Sequence, residues 1–236
     1  MSRPTLSVTG FCLLLVSALP AMAGTIVVGL PADTDAGNCF PLGCAYSGEY
    51  QQVYSAGQFA GPLTISDLEF YNTQYDSDAT AMNSGTWDIS LSTTSANWDT
   101  LSSTFANNIG SNNTLVFSGN LSQSWAFGDT LSIDLTTPFT YNPEKGNLLM
   151  NVAVSGATAP GGNIFFDTNS ENDYIGRLYC SGGFCDGSTS GSVESGYGLV
   201  TGFSTTTAVI PEPSSLLLLV SGLTALGGFV RRKITF

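Results

Sequence analysis

The chain has 236 residues and no histidine. That absence removes Ser-His-Asp and Cys-His catalysis and every zinc or iron site built on imidazole. Cations are nearly as scarce. Between residues 24 and 208 only Lys145 and Arg177 are basic, against every acid of the chain except Glu212, which makes 17 acids and a formal charge of −15. Phosphate binding needs clustered Lys and Arg, so nucleic acid is excluded as a partner. Lys145 stands in a turn and is a poor Schiff-base nucleophile. No Gly-rich phosphate loop is present, which removes the nucleotide-dependent classes that use one. The body also lacks an amphipathic helical pattern, an internal repeat and a linker long enough to divide it.

The two ends carry what the body lacks. Arg3, the apolar run Phe11 to Leu19 and Ala21-Met22-Ala23 form the basic, apolar and small-x-small regions of a secretory signal peptide over 1–23. Its apolar run is too short to span a bilayer. Residues 214–230 are 17 residues without a charge, about 25 Å as a helix. That is a short transmembrane span, stopped behind by Pro213 and held in the cytoplasm by Arg231, Arg232 and Lys233.

Between the ends the period is two. Trp87, Ile89 and Leu91 alternate with Asp88 and Ser90; Leu131, Ile133 and Leu135 alternate with Ser132 and Asp134. Leu148, Met150, Val152 and Val154 share a face, and Leu199, Thr201 and Phe203 another. Such alternation marks half-buried strands. In LTISDLEFY it slips at Ser66-Asp67, which predicts a β-bulge. Gly, Asn and Pro clusters at Pro31, Asn83–Gly85, Asn107–Gly110, Gly128, Pro143–Gly146 and Pro160–Gly162 supply the turns. About ten short strands predict one all-β domain over 24–208, an antiparallel β-sandwich of jelly-roll type.

Four cysteines remain after the signal peptide, as Cys39-x4-Cys44 and Cys180-x4-Cys185. An even count in an exported chain points to disulfides. Of three connectivities the two local pairs are favoured, each clipping a Gly- and Pro-containing loop. The long-range pairings require the two loops to be neighbours.

No catalytic residue stands out, and the expected class is non-enzymatic. A glycosidase needs one carboxylate pair about 5 to 10 Å apart, but nothing in the sequence singles one out from 17 acids. Calcium is the cofactor the residues could hold: Asp167, Asn169, Glu171 and Asp173 place oxygens at alternate positions, without the glycine of an EF-hand loop. An unliganded polar turn explains the same residues. Among the aromatics, Trp87 lies in register with Ile89 and Leu91 and belongs to the core. Tyr46, Tyr50, Tyr54, Tyr71 and Tyr75 could stack on sugars if exposed. Trp98 and Trp125 lie in polar segments and are the surface candidates for carbohydrate binding.

The order Pro211-Glu212-Pro213, apolar 214–230, Arg231-Arg232 resembles the PEP-CTERM sorting signal of Gram-negative envelopes. The resemblance implies processing of 209–236 by exosortase, a membrane transpeptidase-like enzyme, with the protein in the inner membrane before processing and at the surface or in the extracellular matrix afterwards. The logic matches other signals in which the mature protein keeps no membrane helix. YQQVYSA, LSTTSANWDTLSSTFANNIGSNNTLVFSGNLS and TTPFTYNPEKGNLLMNVAVSG resemble an ectodomain recurring among such proteins. That family is associated with biofilm, which makes exopolysaccharide an implied partner. The reading is an exported structural or adhesive protein; a carbohydrate-binding module is the alternative and a glycoside hydrolase the third.

Overall fold

The structure is a computed structural model and describes residues 24–205 apart from 35–36, 83–84, 122, 159–161, 172 and 181–184. The signal peptide at 1–23 and the tail with Pro211, Glu212, Pro213, Arg231 and Arg232 lie outside the described residues. Among the described residues no helix is long and apolar enough to cross a membrane.

The described chain is all-β apart from three single-turn 3-10 segments. The strands are β1 (Gly24–Val28), β2 (Gly37–Asn38), β3 (Gly48–Tyr54), β4 (Leu63–Tyr71), β5 (Asp78–Ala79), β6 (Thr86–Thr94), β7 (Thr114–Gly119) and β8 (Trp125–Ala126). They continue as β9 (Thr130–Tyr141), β10 (Asn147–Ser155), β11 (Phe166–Asn169), β12 (Ile175–Tyr179), β13 (Ser192–Ser195), β14 (Gly198–Leu199) and β15 (Thr201–Thr205). One main sheet has the order β1-β15-β4-β9 and the other β13-β12-β3-β10-β6-β7; β14-β11-β2 and β5-β8 form two small sheets.

The topology is a long hairpin rolled up. β6 pairs with β7, β4 with β9, β3 with β10 and β1 with β15, all antiparallel. These four pairs alternate between the two main sheets, which is the jelly-roll arrangement the period-two pattern anticipates. The slip in LTISDLEFY is a bulge: Ile65 and Asp67 pair with Thr205 and Ser204 in β15, leaving Ser66 unpaired. Opposite them in β9, register jumps from Phe139 to Asp134. The strand bends there, and Thr136 Oγ1 donates to the Val116 carbonyl of β7 at 3.0 Å. That contact ties β9 of one main sheet to β7 of the other.

Alternation fills the space between the sheets. Ile65, Leu68, Phe70, Ile133, Phe139 and Phe203 from one side meet Tyr50, Tyr54, Trp87, Ile89, Met150 and Val152 from the other in one buried cluster. Tyr54 meets Phe203 edge-on at 4.9 Å, and its hydroxyl donates to Thr201 Oγ1 at 2.9 Å. A buried phenol is tolerated only when so paired.

Consecutive Gln51 and Gln52 show why β3 can be buried on both faces. Gln52 points inward; its Nε2 donates to the Leu199 carbonyl at 2.9 Å, and its Oε1 accepts from Leu199 N at 2.8 Å and the Tyr50 hydroxyl at 2.7 Å. Gln51 points outward; its Nε2 donates to the Phe105 carbonyl and Asn151 Oδ1, and its Oε1 accepts from Asn108 Nδ2. Both are fully buried and saturated, the condition under which an amide can leave water. Gln51 thereby anchors the β6–β7 connection over the outer face, where Leu101 and Phe105 cover Val53, Leu149 and Leu178.

Both disulfides form locally, Cys39–Cys44 with Cα atoms 5.6 Å apart and Cys180–Cys185 with 5.5 Å. The loops are nevertheless neighbours, since Cys44, Cys180 and Cys185 line one hollow. A six-residue loop gains about 2 kcal/mol from such a clip. Replacing either pair by alanines should therefore cost about 2 kcal/mol in a denaturant melt and leave a folded domain.

Candidate functional site

Asp167 and Asn169 lie on β11, packed against the end of the four-stranded sheet. Asp167 is 2% exposed. Its Oδ1 accepts from Thr73 N at 2.8 Å and Gln74 N at 3.2 Å, and its Oδ2 from Thr73 Oγ1 at 2.6 Å. Asn169 Nδ2 donates to the Pro31 carbonyl at 2.7 Å, while its Oδ1 accepts from Glu171 N at 3.0 Å. Glu171 and Asp173 are exposed. The alternating carboxylates are thus divided between buried turn ties and solvent. Among the described residues no three Cys, Asp or Glu side chains converge as a metal cage.

Trp125 corrects an expectation. Its polar neighbours suggested the surface, yet it is fully buried, with its indole 4.6 Å from Phe166 and Nε1 donating to the Phe165 carbonyl at 2.8 Å. The two-residue strand β8 is held beneath β11, so local polarity misreports its depth. Trp98 is half-buried against the Leu101–Phe105 cluster. Its carbonyl lies so close over Gly176 that a Cβ there would fall 2.0 Å from it. Tyr46, Tyr50 and Tyr54 are buried, and Tyr71 and Tyr75 half-buried. Burial pushes the Tyr46 phenol up to about 12 and raises that of Tyr54 well above its usual range. Trp87 is core as expected, with Nε1 donating to the Pro41 carbonyl.

The sequence did not single out the trough that does form. On the outer face of the six-stranded sheet, Glu49 and Asp88 pair from opposite sides with Ala153 of β10. With Gly48, Cys185 and Asp186 these residues line a hollow of about 200 Å³. A second hollow of about 480 Å³, lined by Phe40, Cys44, Tyr46, Ser47, Cys180 and Asp186, adjoins it. Desolvation raises the Glu49 carboxyl above its ordinary value, opposed by a hydrogen bond from Asn151. Asp88 accepts from Ser118 Oγ at 2.6 Å. The signal available in the sequence was the small residue Ala153 flanked by two strands whose outward positions are acidic.

Arg177 sits beside these hollows and is itself occupied. Its guanidinium lies 4.5 Å from the Tyr179 ring centre and 3.9 Å from that of Tyr197, and Nε donates to Glu194 Oε2 at 2.7 Å. The one arginine of the body is therefore a structural cation, held in an aromatic clamp.

On the exposed face of the other sheet, Asp67 and Asp134 are directly paired across β4 and β9. Hydrogen bonding and like charge from Asp67 raise the Asp134 carboxyl. A raised folded value contributes stability below the unfolded value and loses it as pH rises through the folded one. Asp134→Asn should raise the melting temperature at pH 7, and that gain should disappear on acidification below about pH 4, where the carboxyls are protonated. Paired melts at the two pH values check it.

The PEP-CTERM protein-sorting motif matches residues 209–233. No curated protein matches the chain. The matched segment contains Pro211-Glu212-Pro213, the whole uncharged run 214–230, Arg231 and Arg232, as the sequence pattern indicated. This motif indicates processing by an exosortase-type membrane enzyme and export through the inner membrane to the cell surface or extracellular matrix.

Proposed function

We propose that the sorted domain is a structural or adhesive element outside the cell. The supporting observation is how its acids are used. Asp33 accepts from Ser170 N, Asp78 from Asn163 N, Asp129 from Ala126 N, and Asp167 from Thr73 and Gln74. Each satisfies backbone donors that a turn leaves unpaired. These carboxylates thus hold turns in place, and the acidic surface keeps the domain soluble and extended from an anionic envelope. The test compares cells producing the full chain, the chain lacking 209–236, and no chain. Surface attachment should require the full chain; equal attachment in all three contradicts the reading.

A second reading, binding of exopolysaccharide, is favoured by the trough. A carboxyl raised by burial and a second carboxylate on the far side of Ala153 offer acceptors for sugar hydroxyls, with half-buried Phe40 in the adjoining hollow for ring contact. Affinity electrophoresis in polysaccharide gels, with Glu49→Gln and Asp88→Asn beside the parent, should show retardation that the variants lose. Shortening of the polysaccharide during the run would make the same pair a hydrolase.

A further inference from the structure

The two outermost strands of the chain are neighbours. Gly24 pairs with Thr205 across β1 and β15, so the first and last described residues lie side by side at one end of the sandwich. Leu63 and Tyr141 close the same end of the four-stranded sheet, and the turn 142–146 follows directly. The charged side chains of that turn, Glu144 and Lys145, are adjacent, opposite in sign and exposed, and exposed Asp99 is linked to the turn's end through Asn97 and Asn147, so this end carries one net negative charge. The other body cation, Arg177, is buried.

The opposite end of this sheet is acidic. Its turns are tied into one group: Asn72 N donates to the Asp129 carbonyl, Asp167 holds Thr73, Asp33 N donates to the Thr168 carbonyl, and Asp78 pairs with Ala126 just before that turn. Asp76 lies between these ties and Glu171 beside them, so six acids and no base mark this end. β4, nine residues long, separates the two ends by about 30 Å.

We propose that the weakly charged end is the face the precursor turns to the membrane, with the strongly acidic end held away by repulsion from anionic lipid headgroups. This rests on the reading of 214–230 as membrane-inserted before processing. Nine steps of chain join Thr205 to Ser214 and reach about 30 Å at full stretch. An inverted posture would therefore need the connection fully extended, while bringing six acids within a Debye length, about 8 Å, of an anionic surface. Upright, the domain keeps its weakly charged end toward the bilayer, where a membrane enzyme works, and leaves the acidic turns facing outward.

The full-length chain, made in a host without the processing enzyme, is reconstituted in phosphatidylethanolamine–phosphatidylglycerol vesicles carrying a headgroup quencher. A fluorescent amino acid replaces Thr140 at the near end or Phe127, an exposed residue at the far end; only variants melting with the parent are used. The Thr140 label should be quenched and the Phe127 label should keep its emission, with the difference shrinking in neutral phosphatidylcholine vesicles. Equal or stronger quenching at Phe127 overturns the orientation while leaving insertion intact. A difference that does not shrink in neutral lipid overturns the electrostatic cause. A chain that fails to float with the vesicles overturns the membrane reading, and the proposal with it.

Discussion

Trp125→Ala should destabilise the domain by about 4 kcal/mol and lower its melting temperature by about 10 °C. The indole is fully buried against Phe166 and carries a hydrogen bond to the Phe165 carbonyl. Truncation opens a large cavity and leaves that carbonyl without its donor. Trp125→Phe keeps most of the volume and should cost clearly less. Calorimetry on the three proteins decides it. A variant that melts with the parent yet loses polysaccharide retardation would return Trp125 to the exposed sugar-binding position its polar neighbours suggest.

The second large effect is at Asp167. Asp167→Ala removes the acceptor for Thr73 N, Thr73 Oγ1 and Gln74 N in a site closed to bulk water. Leaving such donors unpaired should cost about 3 kcal/mol. Asp167→Asn retains one acceptor and should fall between. The same melts separate the two readings of Asp167, Asn169, Glu171 and Asp173. With both carboxylate oxygens of Asp167 committed to the 73–74 turn, the parent should melt alike in chelator and in about 5 mM calcium, a level above the affinity range of extracellular calcium modules. A rise with calcium that Asp167→Asn abolishes would restore the cation site.

These two residues mark where local pattern stops informing. Strands that pack one face inward declare themselves by alternation, and so Trp87, Ile89, Leu91 and the β10 series were legible, as was the bulge at Ser66. Local disulfides followed from spacing and the chemistry of short loops. β8 and β11 have two and four residues, too few to show a period, and their burial comes from elements far away in sequence. Gln51 and Asn108 were illegible for the same reason: a polar side chain inside the fold is recognisable only when its partners are in place. The trough at Glu49, Ala153 and Asp88 joins three strands through register alone, and no spacing along the chain reports it.

The sorting tail is the reverse case. Its meaning lies in the order of a polar signature, an uncharged run and a basic stop, all contiguous in sequence, so 209–233 was readable without any fold. The body and the tail divide the work: the rolled hairpin brings Gly24 and Thr205 together on one side, and the tail carries the sorting signal.

The central claim is that this jelly roll is exported and then separated from its tail. Intact-mass measurement of the protein recovered from the native envelope and surface fractions tests it most directly. The account predicts a species lacking residues 1–23 and ending near Pro211-Glu212-Pro213. A surface species that still includes residues 214–236 would contradict it.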